Sequence, residues 1–174
     1  FMSGERKTLF VDGNHSNFYV VQLENSGSNI TVNGPKGWQI TGSNIGTDTI
    51  IGFKRLEFND GTLALDIDPG DTAGQAYRLY QAAFARTPDM PGVAYHMNDM
   101  ESNGLVLWNI ANNFLASPEF KSKYGENPTD EEYVNLLYQN VLGRSADPVA
   151  EVGWYREQFD TGAMDWAAAL IGFA

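Results

Sequence analysis

"AYRLYQAAFARTPD" at residues 76–89 has a near-double in "VNLLYQNVLGRSAD" at 134–147. Leu79, Arg86 and Asp89 return as Leu137, Arg144 and Asp147, at one offset of 58 residues. Such an array either does chemistry twice or builds one piece of scaffold twice. Apolar residues recur at helical spacing in both copies: Leu79, Tyr80, Ala83 and Phe84, then Tyr133, Leu136, Leu137 and Val141. Both stretches therefore read as a helix closed by a turn.

Outward from these stretches the helical period continues. Thr72 and Gln75 form a capping-box pair that opens the first helix, which runs to about Arg86. A second helix is expected from Pro91 to Asn103, stopped by Gly104. The third, "LVLWNIANNFLA", is expected to bury Leu105, Trp108, Ala111, Phe114 and Leu115. Ser117 and Pro118 open a short helix that Gly125 ends. Thr129 and Glu132 form a second capping box that opens the helix of Tyr133, Leu136, Leu137 and Val141; the next helix holds Val152, Tyr155 and Phe159 and is stopped by Gly162, and the last holds Trp166, Leu170 and Phe173. The offset becomes 59 once an extra residue near Glu151 is allowed, which sets Phe114 against Phe173. The pattern predicts a duplicated three-helix repeat over 73–174, with copies at about 73–125 and 129–174 and the second copy truncated.

Before residue 69 the period is two. "FYVVQL", "NITVNG", "GWQITG", "RLEFNDG" and "TLALDID" are short runs rich in Val, Ile, Thr and aromatics, punctuated by Gly, Asn and Asp. They predict a small antiparallel β unit at 1–68, joined by a linker at 69–72. The fold class expected is α+β in two parts, with an all-α bundle following the β unit.

The chain has 174 residues, 43% hydrophobic, and a formal charge of −11 from 22 acidic and 11 basic residues. That balance repels nucleic acid and anionic membranes, and suits hard cations such as calcium. Cysteine is absent, which excludes disulfides, thiol catalysis and thiolate zinc sites. No apolar run reaches membrane-spanning length, so no membrane insertion is expected. The Phe-Met start and the missing end of copy two read as a fragment.

Several residues are candidates for sites. Arg86 with Asp89, and Arg144 with Asp147, either hold an anion or metal or shape a corner. In the corner reading each Asp caps backbone N–H groups, while each Arg suits a helix C-terminus and can pair with that Asp. Thr72 and Thr129 are structural caps. Calcium could bridge Asp66, Asp68 and Asp71 in "DIDPGDTAG", although the spacing fails an EF-hand. "SNIGTDTII" at 43–51 carries part of a calcium-repeat pattern, and Asp12, Asn14 and His15 are a further metal candidate. His96 reads as a half-buried hydrogen-bonding residue. Trp38, between glycines, could present a flat face to a sugar, as could Trp154 or Trp166. No hydrolase, phosphate-loop or dinucleotide motif is present.

"AYRLYQAAFARTPDMPGVAYHMNDMESNG", "NNFLASPEFKSKYG" and "LLYQNVLGRSADP" closely resemble the bacterial helical module called domain of unknown function 4214, over about residues 75–174. Members of that family usually place Gly and Tyr-Trp in the second helix, whereas copy one reads Gly92 and "VAYHM" and copy two Ala150 and "GWY". The segment at 46–68 looks like the β unit that precedes such modules beside calcium-binding RTX repeats. The resemblance implies a large protein exported by a type I system or built into a surface layer. The expectation is a non-catalytic structural or adhesive module, calcium-stabilised, at the cell surface or outside the cell. Its partners would be other domains of the same protein, a surface polysaccharide or a cell-surface protein. The alternatives are a carbohydrate- or ligand-binding module and an accessory domain of a secreted hydrolase.

Overall fold

Short runs of β-branched residues interrupted by Gly and Asn favour brief strands over long ones, and the N-terminal part of the chain follows that rule. The computed structural model describes the backbone of residues 7–9, 19–22, 29–32, 38–42, 46–50, 54–58 and 61–174, and the side chains of 54–55 and 63–174. The described strands are β1 (Lys7–Leu9), β2 (Tyr19–Gln22), β3 (Asn29–Val32), β4 (Trp38–Gly42), β5 (Gly46–Ile50), β6 (Arg55–Phe58) and β7 (Gly61–Ala64). β2 with β3, β4 with β5, and β6 with β7 are antiparallel pairs. β1 instead runs parallel to β7, with Leu9 opposite Leu63. The β6–β7 sheet is therefore mixed, where an all-antiparallel unit was expected. A strand reached across so long a connection is not bound to hairpin geometry.

The chain divides into two units, Phe1–Gly74 and Gln75–Ala174. In the first, Leu63, Ala64, Leu65 and Asp66 are all buried.

The second is helical. Its elements are α1 (Thr72–Phe84, begun in the preceding unit), α2 (Met90–Ser102), α3 (Leu107–Leu115), α4 (Pro118–Tyr124), α5 (Asp130–Leu137), α6 (Glu151–Asp160) and α7 (Trp166–Gly172). Their stops follow local chemistry. Gly104, Gly125 and Gly162 each have positive φ, a region in which a Cβ is strained. Thr129 and Glu132 exchange bonds across the start of α5, the Glu132 amide donating to Oγ1 of Thr129 and the Thr129 amide to Glu132.

α5 passes directly into a π-helical turn, Tyr138–Leu142. A π turn makes i→i+5 bonds and rotates later residues off the α-helical face. Leu142, which corresponds to Phe84 in copy one, is 52% exposed, against 4% for Phe84. Val141, expected on the apolar face, is likewise exposed.

Two cores result. Around α1, the rings of Tyr80, Phe84 and Phe114 meet at 5.0–5.2 Å. Around α5, Val134, Tyr138, Ala146 and Val152 are buried against Tyr155, Phe159 and Phe173. Trp108, expected in the core, is 46% exposed, and its indole N–H donates to Asp165 at the start of α7. Its apolar ring lies at an edge while its polar tip finds a carboxylate.

Candidate functional site

The repeated signatures form two corners, α1 to α2 and the π turn to α6. In the first, Asp89 is the N-cap of α2: Oδ1 accepts the Gly92 amide at 2.8 Å, and Oδ2 accepts the Tyr80 hydroxyl at 2.8 Å. The Tyr80 hydroxyl and the Gly92 amide hold the Asp89 carboxyl below its ordinary range. Burial, helped by Asp89, pushes the Tyr80 phenol up. Arg86 lies over the Tyr80 ring at 4.9 Å and donates to Glu119 from Nε (2.6 Å) and Nη2 (2.9 Å). Its approach to Asp89 is only 3.5 Å. The principal partner of Arg86 is therefore Glu119 of α4, not the Asp three residues on.

The second corner uses the same types of group differently. Arg144 lies over the Tyr138 ring at 4.8 Å and makes a bidentate pair with Glu151, at 2.7 and 2.6 Å. Asp147 Oδ1 accepts the Val149 and Ala150 amides at 2.9 and 2.7 Å. Glu151 also accepts the Asp147 amide at 2.7 Å. Arg144 and that amide pull the Glu151 carboxyl down from 4.5 to about 2. Ala150 takes the capped place of Gly92, and the extra residue that follows it, Glu151, adds an acid that copy one lacks.

The extra residue of copy two can be located. The Val93 amide donates to the Asp89 carbonyl, four residues back, whereas the Val152 amide donates to Asp147, five residues back. Both valines are buried, so the insertion is absorbed in the turn and the core register is kept. The loop differs in one other way. The Ala146 amide donates to Asn135, while the corresponding Pro88 has no amide to satisfy.

Asp66 is nearly fully buried and ion-paired with Arg55, and its other oxygen accepts the Ala73 amide at 3.3 Å. A carboxylate seven residues upstream thus serves the first turn of α1, where Thr72 was expected to; Thr72 is the first residue of the helix itself. Asp68 and Asp71 are joined to each other, the Asp68 amide donating to Asp71 at 3.3 Å. Among the described residues, no three His, Cys, Asp or Glu side chains gather as a metal site. Trp38 begins β4, opposite Ile50, and its side chain lies outside the described residues. So do the side chains of 43–51, and all of Asp12, Asn14 and His15.

His96 sits among rings, 4.7 Å from Phe114 and 5.2 Å from Tyr95. Its Nδ1 is buried without a hydrogen-bond partner, and Asp99 is 4.0 Å away. Burial lowers its pKa, which keeps the ring neutral. Trp166 stacks on Tyr133 at 4.3 Å and donates to Asp130, a packing role. Trp154 is exposed beside Tyr155.

Residues 111–174 match the family model of the Domain of unknown function (DUF4214). The match begins within α3 and spans α4 to α7, so that stretch is similar to the module; the "VAYHM" segment lies outside it. No curated protein and no solved structure matches the chain. Among the described residues, no helix is long and apolar enough to cross a membrane.

Proposed function

We propose that the chain is a non-catalytic structural or adhesive module, a duplicated three-helix unit carried by a large bacterial protein that is secreted or displayed at the cell surface. One observation carries this reading. Asp89, Arg144 and Asp147 spend their polar atoms on neighbours inside their own corners, and Arg86 on Glu119 of α4. A group engaged in capping and ion pairing is poorly placed to act as nucleophile, base or metal ligand. The acidic, cysteine-free composition suits export. The partners are other domains of the same protein, a surface polysaccharide or a cell-surface protein. Calcium at Asp68 and Asp71 belongs to this proposal as a stabiliser, with Asp66 held in its ion pair.

Location tests the reading directly. Antibody detection in host fractions should find the protein in the supernatant or on the surface, and recovery in the cytosol alone would reject it. The calcium component has a separate test: melting temperature should rise with millimolar calcium and fall with chelator.

A further inference from the structure

We propose that the helical unit binds a neutral polysaccharide of pyranose rings on two exposed aromatic side chains, Tyr95 of α2 and Trp154 of α6. This names the ligand of the adhesive reading above and rests on it. The two residues hold equivalent places in the copies, at the offset of 59. Tyr95 is 63% exposed and Trp154 47%.

Their setting is duplicated as well. Each ring stands edge-on to the residue that follows it, Tyr95 to His96 at 5.2 Å and 81°, Trp154 to Tyr155 at 4.9 Å and 86°. His96 and Tyr155 are themselves half-buried, so each exposed ring has a fixed backing. A ring restricted in advance loses less freedom on binding. The helices have otherwise diverged: from Val93 to Ser102, only the valine returns unchanged in Val152–Thr161. An aromatic side chain still keeps the outward place in both, where water makes no demand for one.

The surroundings of the rings select the ligand. Three and seven residues on, along the same helical face, stand Asn98 and Ser102 in copy one, Glu157 and Thr161 in copy two. All four are exposed. Each ring is thus followed by an amide or carboxylate that accepts hydrogen bonds and by a hydroxyl. A pyranose with equatorial hydroxyls has the matching make-up, C–H groups on its faces for the aromatic surface and hydroxyls around its rim. A protein partner would need a contiguous apolar core, whereas these rings are rimmed by polar groups. Copy two also exposes Val149, but its counterpart is Pro91, so the shared feature is the ring and not an apolar patch. The chain's charge of −11 disfavours an acidic polymer, which leaves a neutral one.

The test is a two-dimensional NMR titration of the 174-residue chain with cellohexaose, whose rings carry equatorial hydroxyls, alongside hexagalacturonic acid. Cellohexaose should shift the Asn98 side-chain amide and the Glu157 backbone amide in a saturable way, and hexagalacturonic acid should not. Tyr95→Ala should weaken the Asn98 response about tenfold and leave that of Glu157 intact. Trp154→Ala should do the reverse, and Trp154→Phe, which retains a ring, should keep most of the Glu157 response. The untouched site shows in each case that the variant is folded; should one alanine variant fail to fold, the other decides. The proposal is overturned by a silent titration, by an equal response to hexagalacturonic acid, or by a folded alanine variant that binds as the parent does. A silent titration of a surface-located protein rejects the rings alone, whereas a cytosolic location rejects the proposed function.

Discussion

Ala85 and Gly143 hold the same left-handed position at the ends of the two corresponding helices, with φ of +48° and +67°. Only one of them is a glycine. The left-handed region costs a residue with a Cβ roughly 1–2 kcal/mol, and the freer unfolded chain of glycine offsets part of that. Ala85→Gly should therefore stabilise the protein by about 0.5–1 kcal/mol, and Gly143→Ala should destabilise it by about as much. Ala85 is exposed and a Cβ on Gly143 would meet nothing within 4 Å, so backbone strain is the term being read. Denaturant melts of both variants check the pair, and a loss of stability in Ala85→Gly would contradict the account.

Gly92 is required for a different reason. A Cβ there would sit 2.8 Å from Asp89 Oδ1 and 3.1 Å from the Tyr80 ring. Asp89 cannot retreat without giving up both the helix cap and the Tyr80 hydroxyl. Gly92→Ala should cost about 1–2 kcal/mol, the worth of a broken N-cap. Urea unfolding measures it, and a neutral result would show that the corner yields easily.

Acid should loosen the second corner late. The folded pKa of Glu151, about 2, lies below its ordinary 4.5. Its contribution is then complete above about 4.5 and is lost as pH falls toward 2. Glu151→Gln should flatten this part of the stability–pH curve. A carboxyl titration by NMR with a midpoint near 4.5 would contradict the pairing with Arg144.

His96 predicts a second acid effect at milder pH. Burial depresses its folded pKa below the ordinary 6.5, despite the opposing charges of Asp99 and Asp89. Stability is thus complete above about 6.5 and declines as pH falls through the lower folded value. Copy two has Tyr155 at the equivalent place, packed against Phe173. His96→Tyr should remove the decline and relieve the unpartnered Nδ1; thermal melts from neutral pH to pH 5 check it.

Much of the helical part was legible because its signals are local. Gly104, Gly125 and Gly162 mark stops, Thr129 with Glu132 marks a start, and Asp89 marks a cap, each within a few residues of what it controls. Legibility failed where the partner is remote or the geometry unusual. Arg86 finds Glu119 across α2 and α3, and Asp66 reaches the Ala73 amide across a turn. No spacing rule names such partners, because tertiary packing brings them together. Periodicity counts in steps of 3.6, so it placed Val141 inside; one wide turn after Leu137 carried it out. Trp108 was read as core from its helical spacing, while its indole N–H is held by a hydrogen bond to a residue 57 places on.

α4 serves two masters. Glu119 at its start holds Arg86 of the earlier corner, while Phe120 and Tyr124 stack at 4.0 Å and rest on Tyr133 of the later one. The helical sequence can be ruled into two copies, but the helical unit has no seam along that line. Severing the chain on either side of this short helix would strip one half of a clasp or the other of a lid, so the two halves should melt together, as one event.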